Sequence, residues 1–496
     1  MPIDHIRYGR ALCVAVCIPA LARAQAASAS PPVQVPTPAP DTARPPNARP
    51  PAKATPARPE FKSLRFDETW TSATRTAHWD GQIKAIPLAP QLTLTFGGQV
   101  RAREEFAHAF TFSGVSDTYE MSRTLVHADL QAGAPRRLHA RLFGEFRDAQ
   151  AFNRDLPGGT RPSDGDRSDI QNLFADLGFS RSYVRYGRQE IVMNRERLIG
   201  VPDWSNTRRG FQGTRAIIVF GNLAFDLLDV RPVVVRLNLP NRADSTTRFR
   251  VFSFGSAPGA KALVIGLPSA WQAYRYDQTI TAPTLTHRLT TGGRAQWTAG
   301  GKPASSQTYS LDAEGAVQRG SVGARLVRAW FWATEIQTQW RAARGSPSVA
   351  IGVEEASGDR NSTDAEAQAF NMLYTAAHAH GGYADVFGRA NALEKHIITT
   401  WDPFTRLNLR GAWYRYDRLT LEDGVYSKQN TLLRPASGSL ERHAGDEVDL
   451  TGTIAAARHL KFIAGHAWIL PGAFLRQTPG SARDSRWGFI GTTYTF

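Results

Sequence analysis

Alternation with a period of two constrains this chain more than any other feature. In residues 92–106, LTLTFGGQVRAREEF, Gln99, Arg101, Arg103 and Glu105 fall on one face, and Val100, Ala102 and Phe106 on the other, with Glu104 the exception. Residues 122–132, SRTLVHADLQA, set Arg123, His127, Asp129 and Gln131 against Thr124, Val126, Ala128 and Leu130. Residues 138–147, LHARLFGEFR, set His139, Arg141, Glu145 and Arg147 against Leu138, Ala140, Leu142 and Phe146. Side chains alternate across a strand, so each segment has one charged and one nearly apolar face. Between Leu92 and Phe496 no run of 18 apolar residues occurs, which excludes helical membrane spans there. Alternation alone also fits a soluble sandwich. The two ends of the chain decide between them.

At the start, Arg7 and Arg10 precede an apolar stretch from Ala11 to Ala20 and an A-x-A site at Ala22-Arg23-Ala24. This reads as a secretory signal peptide over 1–24, with Gln25 the first mature residue. Both cysteines, Cys13 and Cys17, lie inside it, so the mature chain has no thiol chemistry. At the other end, WGFIGTTYTF places Ile490, Tyr494 and Phe496 on one face, which resembles the terminal strand of bacterial outer-membrane proteins. The 12 Trp, 13 Tyr and 25 Phe suit two interfacial girdles, with Trp204, Trp271, Trp330, Trp332, Trp401 and Trp413 near expected strand ends. The expectation is an all-β fold: an antiparallel transmembrane β-barrel over 89–496 in the outer membrane.

Residues 25–59 form a Pro/Ala-rich linker that cannot build a core, with 11 of the chain's 30 prolines. Residues 60–88 are a more mixed lead-in segment. About 405 barrel residues at roughly 20–25 per strand and connector give about 16–20 strands, and 18 is the number expected. A barrel that wide encloses a channel. Net charge is +15, or +13 once residues 1–24 are removed. That favours anionic partners: outer-membrane lipid and lipopolysaccharide on basic loops, or an anionic cargo. Nothing points to nucleic acid.

Three blocks carry a resemblance to a known family. They are GRQEIVMNRERLIGVPDWSNTRRGFQGTRA (187–216), SGDRNSTDAEAQAFNMLYTAAHAHGGYADVFGRAN (357–391), and GDEVDLTGTI (445–454) followed by LPGAF (470–474). They resemble the G-R-Q-E…W-x-N-T…F-x-G-x-R and S-G-D…F-x-x-L-Y…H…G-x-x-D blocks of the alginate export family, AlgE-type outer-membrane channels. Two positions depart from that pattern: Gln212 follows Phe211 in place of Asp, and Thr375 follows Leu373-Tyr374 in place of Pro. The resemblance implies an 18-stranded barrel passing an alginate-like polyuronate or oligosaccharide, with a periplasmic export partner.

A polyuronate carries one carboxylate per ring, so its conduit needs cations spread along the lumen. Guanidinium groups suit this, being always charged and able to grip carboxylates in a bidentate fork. Arg101, Arg103, Arg123, Arg141, Arg147, Arg185 and Arg215 fall on the expected lumen face, with Glu105, Asp129 and Glu145 among them. For any single arginine, a structural ion pair with a neighbouring acid is an equal expectation. Arg188 and Glu190, at a strand end, take no assigned role. Glu354, Glu355 and Asp359 offer hard oxygen donors for Ca²⁺, although their spacing matches no EF-hand loop. His378 and His380 are two apart, unlike helical zinc pairs. No G-x-S-x-G, P-loop, HExxH or CxxC occurs, and no cofactor and no enzyme activity are expected. The alternatives are an anion-selective porin for small solutes and an outer-membrane hydrolase, which needs a Ser-His pair on the lipid face. His127 and His139 are expected to point inward, leaving His466 as the histidine that can face lipid.

Overall fold

A computed structural model describes residues 58–496, apart from 77, 135–136, 259–267, 301–306 and 377. The expected signal peptide and the Pro-rich linker up to residue 57 lie outside the described residues. Eighteen strands form the wall: β1 (Leu92–His108), β2 (Asp117–Gly133), β3 (Leu138–Phe152), β4 (Asp166–Phe179), β5 (Ser182–Gln189), β6 (Phe211–Phe220), β7 (Leu223–Val234), β8 (Thr247–Ser256) and β9 (Ala270–Ile280); then β10 (Thr286–Gly300), β11 (Gln307–Val322), β12 (Arg325–Trp340), β13 (Ser348–Ala356), β14 (Ala392–Phe404), β15 (Leu407–Arg418), β16 (His443–Ala455), β17 (Leu460–Pro471) and β18 (Ser485–Thr495). Each pairs antiparallel with its neighbours in sequence. The last strand pairs with the first, from Gln99↔Thr495 to His108↔Arg486. Phe496 N donates to Gly98 O (2.9 Å), and Gly98 N returns the bond (2.8 Å). A Cβ on Gly98 would lie 2.7 Å from the Phe496 ring, so glycine lets the final aromatic seat against the first strand.

The two faces of the wall separate as the alternation predicts. On β1, Arg101, Arg103, Glu105 and Ala107 are buried, while Phe96, Val100 and Phe106 are exposed. The exposed side carries an apolar band: Val100 is 46 % exposed, Leu142 52 %, Leu177 62 %, Ile336 56 % and Ile490 52 %. In a soluble sandwich such residues would be buried, so this band faces hydrocarbon. The turns at the end holding both strand termini include two-residue links at 180–181, 221–222 and 405–406, whereas the opposite end carries 153–165, 190–210, 357–391, 419–442 and 472–484. Short turns face the periplasm in bacterial barrels, so the long loops mark the outer end.

Of residues 60–88, read from sequence as a lead-in, the described residues up to 85 turn back into the lumen from the periplasmic end. Phe66 is buried and meets Phe143 of β3 and Phe174 of β4 edge-on, at 5.6 and 5.2 Å between centroids. The Arg185 guanidinium lies over the Phe66 ring at 4.7 Å. Arg65 pairs with Glu68 (2.7 Å) and donates to Phe496 O (2.9 Å), and Lys84 Nζ donates to Phe96 O (2.7 Å). A short strand, Ile86–Ala89, then pairs back on the start of β1.

Phe66→Ala removes the one ring this segment inserts between β3 and β4, a loss of about 3–5 kcal/mol for a buried phenylalanine. Limited trypsin digestion of the folded variant is expected to cut at Lys62 and Arg65 at least about tenfold faster than in the parent, with the barrel itself still resisting unfolding in detergent. Unchanged cleavage would show that other contacts hold the segment.

Candidate functional site

The lumen has two chemically distinct walls. On β1–β6 the inward side chains are rich in arginine, and the loop at 190–210 folds down onto them. Arg101 Nη1 donates to Asp203 O (2.7 Å), Arg103 Nη1 to Trp204 O (2.8 Å) and Arg123 Nη1 to Asp203 O (3.0 Å), while Arg123 Nη2 reaches the Asp203 carboxylate (2.8 Å). Enclosure in the lumen disfavours the charge of Asp203, but Arg123, Arg208 and Arg101 outweigh this and hold its carboxyl well below the usual carboxylate range. Asn206 fixes the next turn: its amide donates to Ser122 O (2.8 Å), Gln150 O (3.0 Å) and Asp164 O (3.0 Å). Thr207 Oγ1 donates to Pro162 O (2.5 Å). The W-x-N-T element is thus a latch that ties a long loop to the wall through backbone carbonyls.

On β11–β16 the inward side chains are acidic: Asp312, Glu314, Glu354, Glu394, Glu447 and Asp449 are all buried. Here the loops supply the cations. Arg197, from the same 190–210 loop, meets Asp312 (2.8 Å), Glu314 (3.3 Å) and Glu354 (2.9 Å). Arg389, from 357–391, meets Glu354 (2.6 Å) and donates to Arg197 O (2.8 Å). The G-x-x-D element of that loop crosses the acidic strand β16: Ala384 N donates to Glu447 (2.8 Å) and Tyr383 N to Asp449 (3.0 Å). Gly382 has φ +70°, and a Cβ there would sit 2.3 Å from the Glu447 carboxyl, so only glycine passes this close. The two loops join each other through Tyr374 N→Leu198 O (2.9 Å) and Gly200 N→Tyr374 O (3.0 Å). Tyr374 packs on Phe211 and Phe249 of the wall, at 5.2 and 5.0 Å.

Above this weave, on the outer side, lies a cavity of about 400 Å³. Arg103, Tyr119, Trp204, His378, Asp385 and Trp487 are among its lining residues. The Arg103 guanidinium stacks over the Trp204 ring at 4.0 Å and pairs with Glu105 (2.6 Å). Glu105 also accepts from Tyr119 OH (2.7 Å) and Trp487 Nε1 (3.3 Å). Burial pushes the His378 imidazole down to about 4, against Asp385 at 3.1 Å. At neutral pH it is therefore an uncharged ring, stacked with Trp487 at 5.5 Å. The result is an aromatic-lined chamber with paired charges at its rim.

All ten wall residues singled out from sequence point into the barrel. Arg101, Arg103, Glu105, Arg123, Asp129, Glu145, Arg147 and Arg185 are buried, and Arg141 and Arg215 half-buried. Their partners are protein groups: Arg141 grips Asp129 (2.7 and 2.7 Å), Arg185 grips Asp176 (2.7 and 2.9 Å) and Arg215 grips Asp226 (3.0 and 2.7 Å). Arg147 pairs with Asp166 and Gln171, and Glu145 accepts from Asn172 (2.7 Å). The seven arginines thus brace strands and loops, and do not stand as a free ladder. Glu190 lies inside and holds Arg208 (2.6 Å), whereas Arg188 faces out and holds Asp169 (3.1 Å).

The candidate calcium donors, for which a solvated loop is the favoured reading from sequence, are separated by the pleat. Glu354 points inward to Arg197 and Arg389, adjacent Glu355 points outward to Trp332 Nε1 (3.0 Å), and Asp359 holds Arg325 (2.7 Å), so the three do not converge. Among the described residues no His/Cys/Asp/Glu group is placed to hold a metal. Trp204 is corrected, from a girdle residue to a lumen residue. His127 is buried inside against Phe143, and His466 stands on the outer face beside Trp468. The outward Ser-His contact at the outer end of β1, Ser116 Oγ to His108 Nδ1 (3.0 Å), caps a turn through Ala109 N and has no acid on the other ring nitrogen among the described residues. Sequence reasoning missed the acidic wall and the loop cations Arg197 and Arg389, because each is legible only once loop and strand are brought together.

The alginate export family matches residues 92–489. No curated protein sequence matches the chain. Among solved structures, the outer membrane protein opdK from Pseudomonas aeruginosa is similar in fold, with a TM-score of 0.53, 12 % identity, and coverage of 81 % of this chain and 98 % of that one. OccAB2 from Acinetobacter baumannii gives 0.54 and 10 %, over 81 % and 98 %. OpdK crystallised with vanillate gives 0.52 and 11 %, over the same shares.

Asn206→Ala removes three bonds to buried carbonyls, a loss of about 2–4 kcal/mol with little change in volume. The expected outcome is a barrel that still assembles but whose 190–210 loop loosens, measured as faster hydrogen exchange at 200–208 and a lowered unfolding temperature in detergent. Exchange as slow as in the parent would show that the arginine–carbonyl bonds suffice.

Proposed function

The chain belongs to the alginate export family, and from that premise we propose that this outer-membrane β-barrel is a channel that admits an anionic saccharide of the polyuronate type. The observation that carries the reading is the outer cavity of about 400 Å³, where Trp204, Trp487, Tyr119 and neutral His378 surround paired charges. Sugar rings offer apolar faces to aromatic rings and hydroxyls to carboxylates and guanidinium groups. A cavity of this size takes one or two rings at a time, within the usual range for small-ligand sites. Passage by successive short-range contacts keeps any one unit from binding too tightly to leave. The sign of the cargo rests on the family and on the +13 charge of the mature chain.

A second reading, a porin for small anionic solutes, is favoured by one observation. The arginines of β1–β6 are individually paired, and the facing wall on β11–β16 is acidic, so an extended polyanion meets no unbroken cationic track. A small solute needs only a local contact.

Single-channel current through the refolded full chain separates these. Polyuronate oligomers are expected to block the current, neutral oligosaccharides to block it more weakly, and Trp204→Ala to weaken polyuronate block about tenfold, the loss of one good contact. Because His378 stays neutral well above about pH 4, block should not change between about pH 6 and 8. Block by small aromatic acids and none by either saccharide would replace this reading with the second.

A further inference from the structure

The outside of the barrel is not uniform at its outer rim. On β11 and β12, Arg319 and Arg328 are direct cross-strand partners, and both point away from the lumen. Like charges placed opposite each other destabilise a sheet. Arg328 has Glu366 at 2.6 Å, whereas among the described residues Arg319 donates only to Gln318 O (3.0 Å). On β8 and β9, Arg248, Arg250 and Arg275 face the same way, with Asp229 and Asp277 set among them. Arg248 keeps 47 % of its side chain exposed, Arg250 49 % and Arg328 58 %, so donors remain free. The contrast is with β1 and β2, where Glu104 and Glu120 are the opposed outward pair.

The height of the patch matters as much as its sign. Arg319 and Arg328 each stand three residues from the end of their strand at the two-residue turn 323–324, about 10 Å along the strand. Immediately below on the same face are Val317 and Trp330, partners in the same ladder, and Trp332 and Phe252 continue the apolar band. The loops above, 281–285 and 323–324, are the shortest at that end, so nothing built from them covers the arginines. Cations thus border hydrocarbon at the level of the outer-leaflet headgroups.

The geometry points to a binding site for a phosphorylated glycolipid of the outer leaflet, lipopolysaccharide, on the exterior of β8–β12. Its phosphates bridge Arg319, which has no carboxylate partner among the described residues, and the exposed guanidinium groups of Arg328 and Arg250, whose forks match phosphate oxygens. Its acyl chains lie on Val317, Trp330 and Trp332. This site is independent of what passes through the lumen.

The test uses the purified full chain in detergent, with three probes: lipid A bearing both phosphates, dephosphorylated lipid A, and inorganic phosphate. Binding is read by native mass spectrometry and by the shift in unfolding temperature. The expected result is at least about tenfold preference for phosphorylated lipid A, lost in Arg319→Gln/Arg328→Gln and kept in Arg406→Gln, an exposed charge in the periplasmic turn 405–406. Arg319→Lys/Arg328→Lys, which keeps charge without the fork, should bind at an intermediate level and guards against a glutamine variant that fails to fold. Equal binding of the two lipids, undiminished binding by the glutamine variant, or full displacement of lipid by millimolar phosphate would each overturn the site.

Discussion

Hydrocarbon offers no hydrogen-bond partner, and every other feature of this molecule follows from that. A sheet in lipid cannot keep a free edge, because each unpaired N–H or C=O there costs several kcal/mol. The chain meets this by returning its last strand to its first, sealed by the reciprocal Gly98–Phe496 bonds. Closure then fixes two surfaces of opposite character, because the pleat sends alternate residues in and out. Phe106 must be apolar because its neighbours Arg103 and Glu105 are on the wall's other side, and a one-residue slip would exchange them.

An interior lined by charge creates the second problem, since a charge removed from water must find a partner. The solution here is a division of labour between strands and loops. Where the wall is cationic, on β1–β3, the inserted loop presents carbonyls and Asp203; where it is anionic, on β11–β13, the same loop presents Arg197. One segment, 190–210, therefore spans the two walls with opposite chemistry at its two ends. Removing the loop leaves the wall arginines and carboxylates buried without these partners, which makes loop and barrel one piece energetically.

The barrel was legible in the sequence because a period of two is a local property, readable ten residues at a time, and its strand number followed to within two from the length of the alternating region. The inward direction of Arg101, Arg123, Arg147 and the others was legible for the same reason. Their partners were not. Arg123 meets Asp203 across 80 residues and Arg197 meets Glu354 across 157, and no local pattern encodes such a distance. The motif W-x-N-T marked the place, but its meaning, a side-chain amide satisfying three wall and loop carbonyls, needed the fold. Trp204 shows the converse: an aromatic beside a strand end has the composition of a girdle residue, and only loop insertion turns it inward.

The same pairing argues about what yields when a solute passes. Withdrawing the 190–210 loop would strip Arg197 from three carboxylates and Asn206 from three carbonyls at once. Each of those losses leaves a buried group unsatisfied, at about 1–3 kcal/mol for a neutral acceptor and more for an ion. Residues 58–85 are held differently. Phe66 is an apolar anchor, and Arg65 and Lys84 donate to backbone oxygens that the strand end can return to water or to a neighbour. Undocking this segment would expose Phe66 and Trp70, uncover the buried Glu68 and Lys84, and break the ion pairs of Asp80 with Arg458 and His459. The periplasmic segment is thus held by an apolar anchor, by backbone oxygens and by buried ion pairs, and the outer weave chiefly by buried charge and backbone carbonyls.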